Sequence, residues 1–281
     1  MKKIIAAFDG LKFSESTRDH SIQLAKQNNA HLVGVFLEDG TYQSYKTYDL
    51  LVKEGGIIGS TKKKLDKKDS KKRASAISNF EASCQKENIE FTIHRDRNIA
   101  IQELLHESIY ADLLIVDSLE TLSHYDQKPP THFIRDLLAE VQCPVLAVPH
   151  TFSNIKKLVL LYDGEPSSVH AIKMLSYTLG SLKQNPVEVL SVISVKQSRA
   201  VPDNKLMKEF MYRHFSKATY SVIKGLLPET EIVDYLKKEK NSTLVVLGAY
   251  RRSMVSRWFR ESMADVLMRD LKLPLFIAHN K

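Results

Sequence analysis

A chain of 281 residues is too long for one typical domain, and its 43% hydrophobic and 26% charged residues suit packed cores rather than a disordered polymer. Its longest apolar runs, such as KLVLLY and TLVVLG, are strand-length and fall short of the roughly 18 residues that suggest a membrane span. The formal charge of +8 invites nucleic acid, but much of it sits in KKKLDKKDSKKR, Lys62 to Arg73, which lacks interleaved aromatics and reads as a solvated helix start or loop.

In chain order, MKKIIAAFDG opens with an apolar run ending at Asp9-Gly10, too short for a helix or a signal-peptide core, so a strand and a cytoplasmic location are expected. Ile22, Leu24 and Ala25 mark a helix, and His31 to Phe36 a second strand. Asp39 to Arg73 is polar and rich in Tyr, Gly and Lys, with Tyr42, Tyr45 and Tyr48 ahead of Gly55-Gly56. A long irregular insertion of this kind is usually functional or disordered, and its tyrosines could cover a site or a partner surface. A helix over about Lys72 to Glu87, a strand over Glu90 to His94 and a helix through Ile101 to Ile109 follow. ADLLIVDS supplies a fourth strand, and a last helix leads to a fifth strand after Pro144.

The same series then recurs. KKLVLLYDGEPSSVH answers KKIIAAFDGLKFSES, STLVVLGA answers ADLLIVDS, and LPLFIAHN answers CPVLAVPH. Between them lie a helix through Val169, Ile172, Leu175 and Leu179, strands Val187 to Ile193 and Thr219 to Lys224, and helices Leu206 to Ala218 and Glu231 to Lys238. Strands alternating with helices predict an α/β fold of two tandem, doubly wound, five-stranded parallel-sheet modules, residues 1–150 and 155–281, with the 39–73 insertion in the first. In such sheets ligands bind beyond the carboxyl ends of the strands, which directs attention to the loops after strands one and four of each copy.

Several residues have plain structural roles on this pattern. Asp9 and Asp163 suit turn residues that cap the following loop or helix, with Gly10 and Gly164 serving backbone shape. Cys84 and Cys143 lack metal or disulfide companions and read as buried thiols. His124, His132, Asp126 and Asp136 have no standard metal spacing and read as solvated surface, so no metal site is expected. Ser118, Thr131 and Ser262 lack a sequence-visible base. Trp258 and Phe259 suit packing, while Arg251, Arg252, Arg257 and Arg260 form the strongest electrostatic invitation to an anion.

The strand-one Asp-Gly, the block LVVLGAYRRS and the final Pro-led strand resemble the universal stress protein family, over both halves and almost the whole chain. The resemblance implies a nucleotide site in the second copy, for ATP or another adenine nucleotide. Asp163 would stand beside the adenosine, Val192 against the adenine, and a phosphate-binding motif would start at Leu247 and Gly248 and end at Ser262 and Met263. Arg251 and Glu261 replace two glycines of that motif. Arg251 would either fill the phosphate's space or bind it by charge-assisted bonds, whereas Glu261 would repel it. In the first copy Asp9 and Val35 keep the frame, but Asp117 replaces the first glycine and Thr131 with His132 falls where Gly-Ser would be. The phosphate cradle is therefore expected to be lost there.

By the same resemblance Val145 to Val148 and Leu275 to Ala278 should pair, making an intramolecular pseudo-dimer. A further homodimer and an unidentified protein partner stay open, whereas no membrane or nucleic-acid partner is expected. The implied function is binding and regulation in a stress response. The alternatives are a scaffold that has lost nucleotide and, more weakly, a slow ATPase, for which no Walker lysine, acid cluster or general base is visible.

Overall fold

The first strand, KIIAAFD, buries every residue after Lys3, and the other inner strands are equally apolar on both faces. Continuous burial of this kind requires a sheet covered by helices on both sides. The computed structural model, which describes residues 2–38, 43–45, 48, 52, 59–96, 99–196, 200–248 and 262–279, has that architecture.

In the first half β1 (Lys3–Asp9), α1 (Glu15–Asn28), β2 (His31–Leu37), α2 (Gly59–Lys86), β3 (Phe91–Asp96), α3 (Ala100–Ser108), β4 (Leu113–Asp117), α4 (His132–Glu140) and β5 (Val145–Val148) succeed one another. The second half repeats the series as β6 (Lys157–Leu161), α5 (Pro166–Thr178), β7 (Val187–Ile193), α6 (Asn204–His214), β8 (Thr219–Lys224), α7 (Pro228–Leu236), β9 (Thr243–Gly248), α8 (Met263–Asp270) and β10 (Leu275–Ala278), with a 3-10 turn at Gly180–Gln184. All ten strands form one sheet in the order β3-β2-β1-β4-β5-β10-β9-β6-β7-β8. Each half is parallel. The halves meet antiparallel at β5 and β10, where Leu146 faces Phe276 and Val145 faces Ile277. The expected pairing of the fifth strands is thus observed, and it leaves each half only one open edge.

Alternation along the strands divides the core into two layers. Ile4, Ala6, Phe8, Leu158, Leu160 and Phe276 pack under α1, α2, α5 and α6, while Ile5, Ala7, Val159, Leu161, Val245 and Leu275 pack under α3, α4, α7 and α8. Cys84 and Cys143 are buried free thiols, each pushed up to about 12, chiefly by burial. No helix among the described residues is long and apolar enough to cross a membrane.

The insertion departs from expectation. The helix expected from about Lys72 starts at Gly59, so the lysine run is its first half rather than a loop. Within the run, Leu65, Asp69 and Arg73 are turned inward and continue into Ala76, Phe80 and Cys84, a stripe at helical spacing hidden among exposed lysines. The two aspartates that interrupt the run hold the preceding chain: Asp69 accepts from the Ser44 amide at 2.8 Å and from its hydroxyl, and Asp66 accepts from the Tyr45 hydroxyl. Asp69→Ala should release this strap, so that limited chymotryptic cleavage after Tyr45 becomes faster than in the parent while global unfolding stays cooperative. Unchanged cleavage would show that the aspartate does not hold it. Tyr42 and Gly55-Gly56 lie outside the described residues.

Candidate functional site

The carboxyl edge of the first half is lined with acids. Asp9, at the end of β1, accepts the Leu11 amide at 2.7 Å, and Asp117, at the end of β4, accepts the Leu119 amide at 2.9 Å. The other Asp117 oxygen accepts from the Ser14 hydroxyl at 2.8 Å and lies 3.3 Å from His150 Nδ1. Ser14 is the N-cap of α1, so this carboxylate anchors the helix start to β4. Glu120 is buried behind them, with Oε1 accepting the amides of Thr121 and Leu122 at 2.9 and 3.0 Å. Burial, and then the charges of Asp9 and Asp117, push its carboxyl up to about 7.

The insertion helix closes the same edge from above. A Cβ on Gly10 would meet Arg73 Cγ at 3.0 Å, and Arg73 and Arg95 reach the buried Glu38 at 3.9 and 2.9 Å. A phosphate here would meet the negative charge of Asp9 and Asp117, the same charge that helps to raise Glu120. Among the described residues no group of three or more His, Cys, Asp or Glu could hold a metal ion.

The second half differs at each of these positions. Asp163 is exposed, and its Oδ1 accepts the Glu165 amide at 3.0 Å and the Ser168 hydroxyl at 2.8 Å, repeating the turn that Asp9 makes with Leu11. Its Oδ2 makes no hydrogen bond among the described residues. Gly164 has φ +88°, a conformation that strains any L side chain, and this fixes the Asp-Gly pair. Where β4 ends in Asp117, β9 ends in Gly248, and a Cβ there would collide with the backbone carbonyl of Ser167 in α5. The glycine therefore lets the helix start lie against the strand end.

Val192, half-buried, and Leu247, buried, pack on the face covered by α7 and α8. Ser262 begins α8 with a reciprocal capping box: its hydroxyl accepts the Asp265 amide at 3.2 Å and its amide donates to the Asp265 carboxylate at 3.2 Å. Met263, the first helical residue, is half-buried against the same core. Arg251, Arg252, Arg257, Arg260, Trp258, Phe259 and Glu261 lie outside the described residues.

Strand register and helix capping correct one sequence equivalence each. Ala6 pairs with Gly34 and Leu160 with Val189, so the counterpart of Val35 is Leu190, and that of Val192 is Leu37. A shift of two residues keeps the face, which is why alternation concealed it. Val35 lies fully buried, two residues short of the edge where Val192 stands. Likewise, Thr131 rather than His132 is the counterpart of Ser262, since Thr131 caps α4 by accepting the Ile134 amide at 3.2 Å. Its hydroxyl also donates to the Glu120 carbonyl, tying the cap to the acid-lined loop.

Two further features emerge from the structure. The second lysine of each repeated pair proves to be an amino-edge anchor: Lys3 reaches Glu107 at 3.3 Å, while Lys157 bridges Glu188 at 2.8 Å and Glu239 at 2.7 Å. Burial works to raise the Glu188 carboxyl, but bonds from Lys157, Ser221 and Tyr235 outweigh it and hold the group below its ordinary range. A cavity of about 370 Å³ lies away from either carboxyl edge, between α1 and α2 beside Phe152.

Two doubly wound five-stranded halves joined edge to edge through their fifth strands define a tandem α/β protein, in which the loops beyond the carboxyl ends of the strands are the places where such sheets take ligands. The fold is that of the universal stress proteins. A universal stress protein from Archaeoglobus fulgidus superposes with a TM-score of 0.71 at 12% identity, covering 99% of this chain and 98% of that one. A Pseudomonas aeruginosa protein assigned to the universal stress proteins gives 0.59 at 13% identity over 99% and 93%, and a functionally unknown protein from the same species gives 0.61 at 12% over 99% and 92%. No protein-family model and no curated protein sequence matches the chain.

Proposed function

We propose that the chain is a tandem universal stress protein that acts by binding and regulation, with any adenine-nucleotide or related anionic ligand held by the second half alone. The observation that carries this is the contrast between the two carboxyl edges. The first has Asp117 and Glu120 beside Asp9 under Arg73, whereas the second has Gly248 and an exposed Asp163. Asp163 would take the ribose hydroxyls as an acceptor, Val192 and Leu247 would offer an apolar wall, and Ser262 with the start of α8 would face phosphate. The division into functional units at 1–150 and 155–281 and a cytoplasmic location belong to the same proposal.

A scaffold without nucleotide is the second possibility. It draws support from Asp265, whose carboxylate already occupies the start of α8.

Isothermal titration with ATP and AMP distinguishes the two. The expected result is one site per chain that Asp163→Ala removes, a loss of about 10-fold or more for a hydrogen bond to a charged group. Absence of heat at millimolar nucleotide would establish the scaffold instead.

A further inference from the structure

The seam between the first two helices is built oppositely in the two halves. In the first half it is cross-linked: Arg18 of α1 donates to Asn79 of α2 at 2.5 Å, and Lys26 pairs at 2.8 Å with Glu87, just past the end of α2. In the second half the α5–α6 seam carries rings. His214 lies 5.5 Å from Tyr177 and 4.3 Å from Phe210, centroid to centroid, and Ser176 pins its Nδ1 at 2.8 Å. Tyr177 is 61% exposed and both other rings are half-buried, so the row reaches solvent.

Burial first, and then the charges of Lys183 and Lys173, hold the His214 pKa below its ordinary value. Both lysines are exposed, and neither has a carboxylate partner among the described residues. Three rings in a row beside two unneutralised cations, on a chain of net charge +8, suit a partner that has both flat faces and negative charge.

We propose that the α5–α6 face, through Tyr177, His214, Phe210, Lys173 and Lys183, is a docking surface for single-stranded nucleic acid. Bases stack on the ring row and phosphates lie against the two lysines, a combination that tolerates any sequence. An acidic peptide would use the lysines but leave Tyr177 without a partner. The composition argues against nucleic acid because the rings come from two separate helices, and only the fold aligns them.

The test is fluorescence anisotropy of a labelled oligothymidylate of about 12 nucleotides titrated with the full chain at low and moderate salt. Binding should weaken as salt rises, and Lys173→Glu with Lys183→Glu should abolish it. Tyr177→Ala should weaken it about 5- to 150-fold, from the ~1–3 kcal/mol that one stacked base contributes. All three side chains are exposed, so circular dichroism should be unchanged.

Absence of binding at low salt would overturn the proposal. So would binding that Tyr177→Ala leaves intact, since that is the behaviour of a bare cationic patch. Binding lost only when Lys62, Lys63 and Lys64 are neutralised would overturn it too, by assigning the contact to α2.

Discussion

Glu120→Gln is expected to stabilise the protein near pH 8 and to have no effect near pH 4. The folded carboxyl titrates at about 7 against an ordinary value of 4.5, so the native state holds a proton that the unfolded chain has already released. Stability attributable to this group therefore falls as pH rises from 4.5 towards 7, and the whole penalty is present above that window. The penalty is on the order of a few kcal/mol and is shared with the aspartates that Glu120 repels. Glutamine keeps the acceptor for Thr121 and Leu122 and presents an N–H to the neighbouring aspartates, which removes the repulsion without emptying the site. Denaturant midpoints measured across pH 4 to 8 decide the matter, since a variant running parallel to the parent at every pH would rule out the ionised cluster as a source of strain.

Gly248→Ala carries the largest expected loss. The added methyl would run into the Ser167 carbonyl, which is backbone near the start of α5 and cannot rotate aside. Overpacking against a fixed neighbour costs about 1–3 kcal/mol, and here either α5 or the end of β9 must shift. Gly180→Ala is the matched control, because a Cβ there meets nothing within 4 Å. Urea unfolding should place the first variant well below the parent and the second at or slightly above it. Equal midpoints for the two would mean that the approach of α5 to β9 is looser than described.

The architecture was legible because its signals are local and repeated. Apolar runs bounded by Asp-Gly and Pro mark the strands of each copy, and the matching blocks ADLLIVDS and STLVVLGA mark the fourth strand of each half. Where a signal depends on the partner strand it failed: Val35 and Val192 look alike in sequence, yet register sets them two residues apart. The start of α2 was hidden because Leu65, Asp69 and Arg73 are sparse among lysines, and the stripe emerges only when continued to Phe80.

Glu120 had no pattern at all. Its position is set by the turn after β4, where its amide donates to the Asp117 carbonyl at 3.0 Å and its own carbonyl accepts from the Thr131 hydroxyl. The turn role of Asp9 and Asp163, by contrast, follows from residue type alone, and both make it through the amide two residues on.

The two carboxyl edges of the one sheet differ in kind: Asp9, Asp117 and Glu120 gather at the first, whereas Gly248 and an exposed Asp163 stand at the second, where the ligand is proposed to bind. A crystal structure of the chain grown with millimolar AMP tests it most directly. The expected result is density for one nucleotide per chain, beside Asp163, Val192 and the end of β9, and none beside Asp9. A nucleotide seated over Asp9 and Asp117, or equally in both halves, would contradict it.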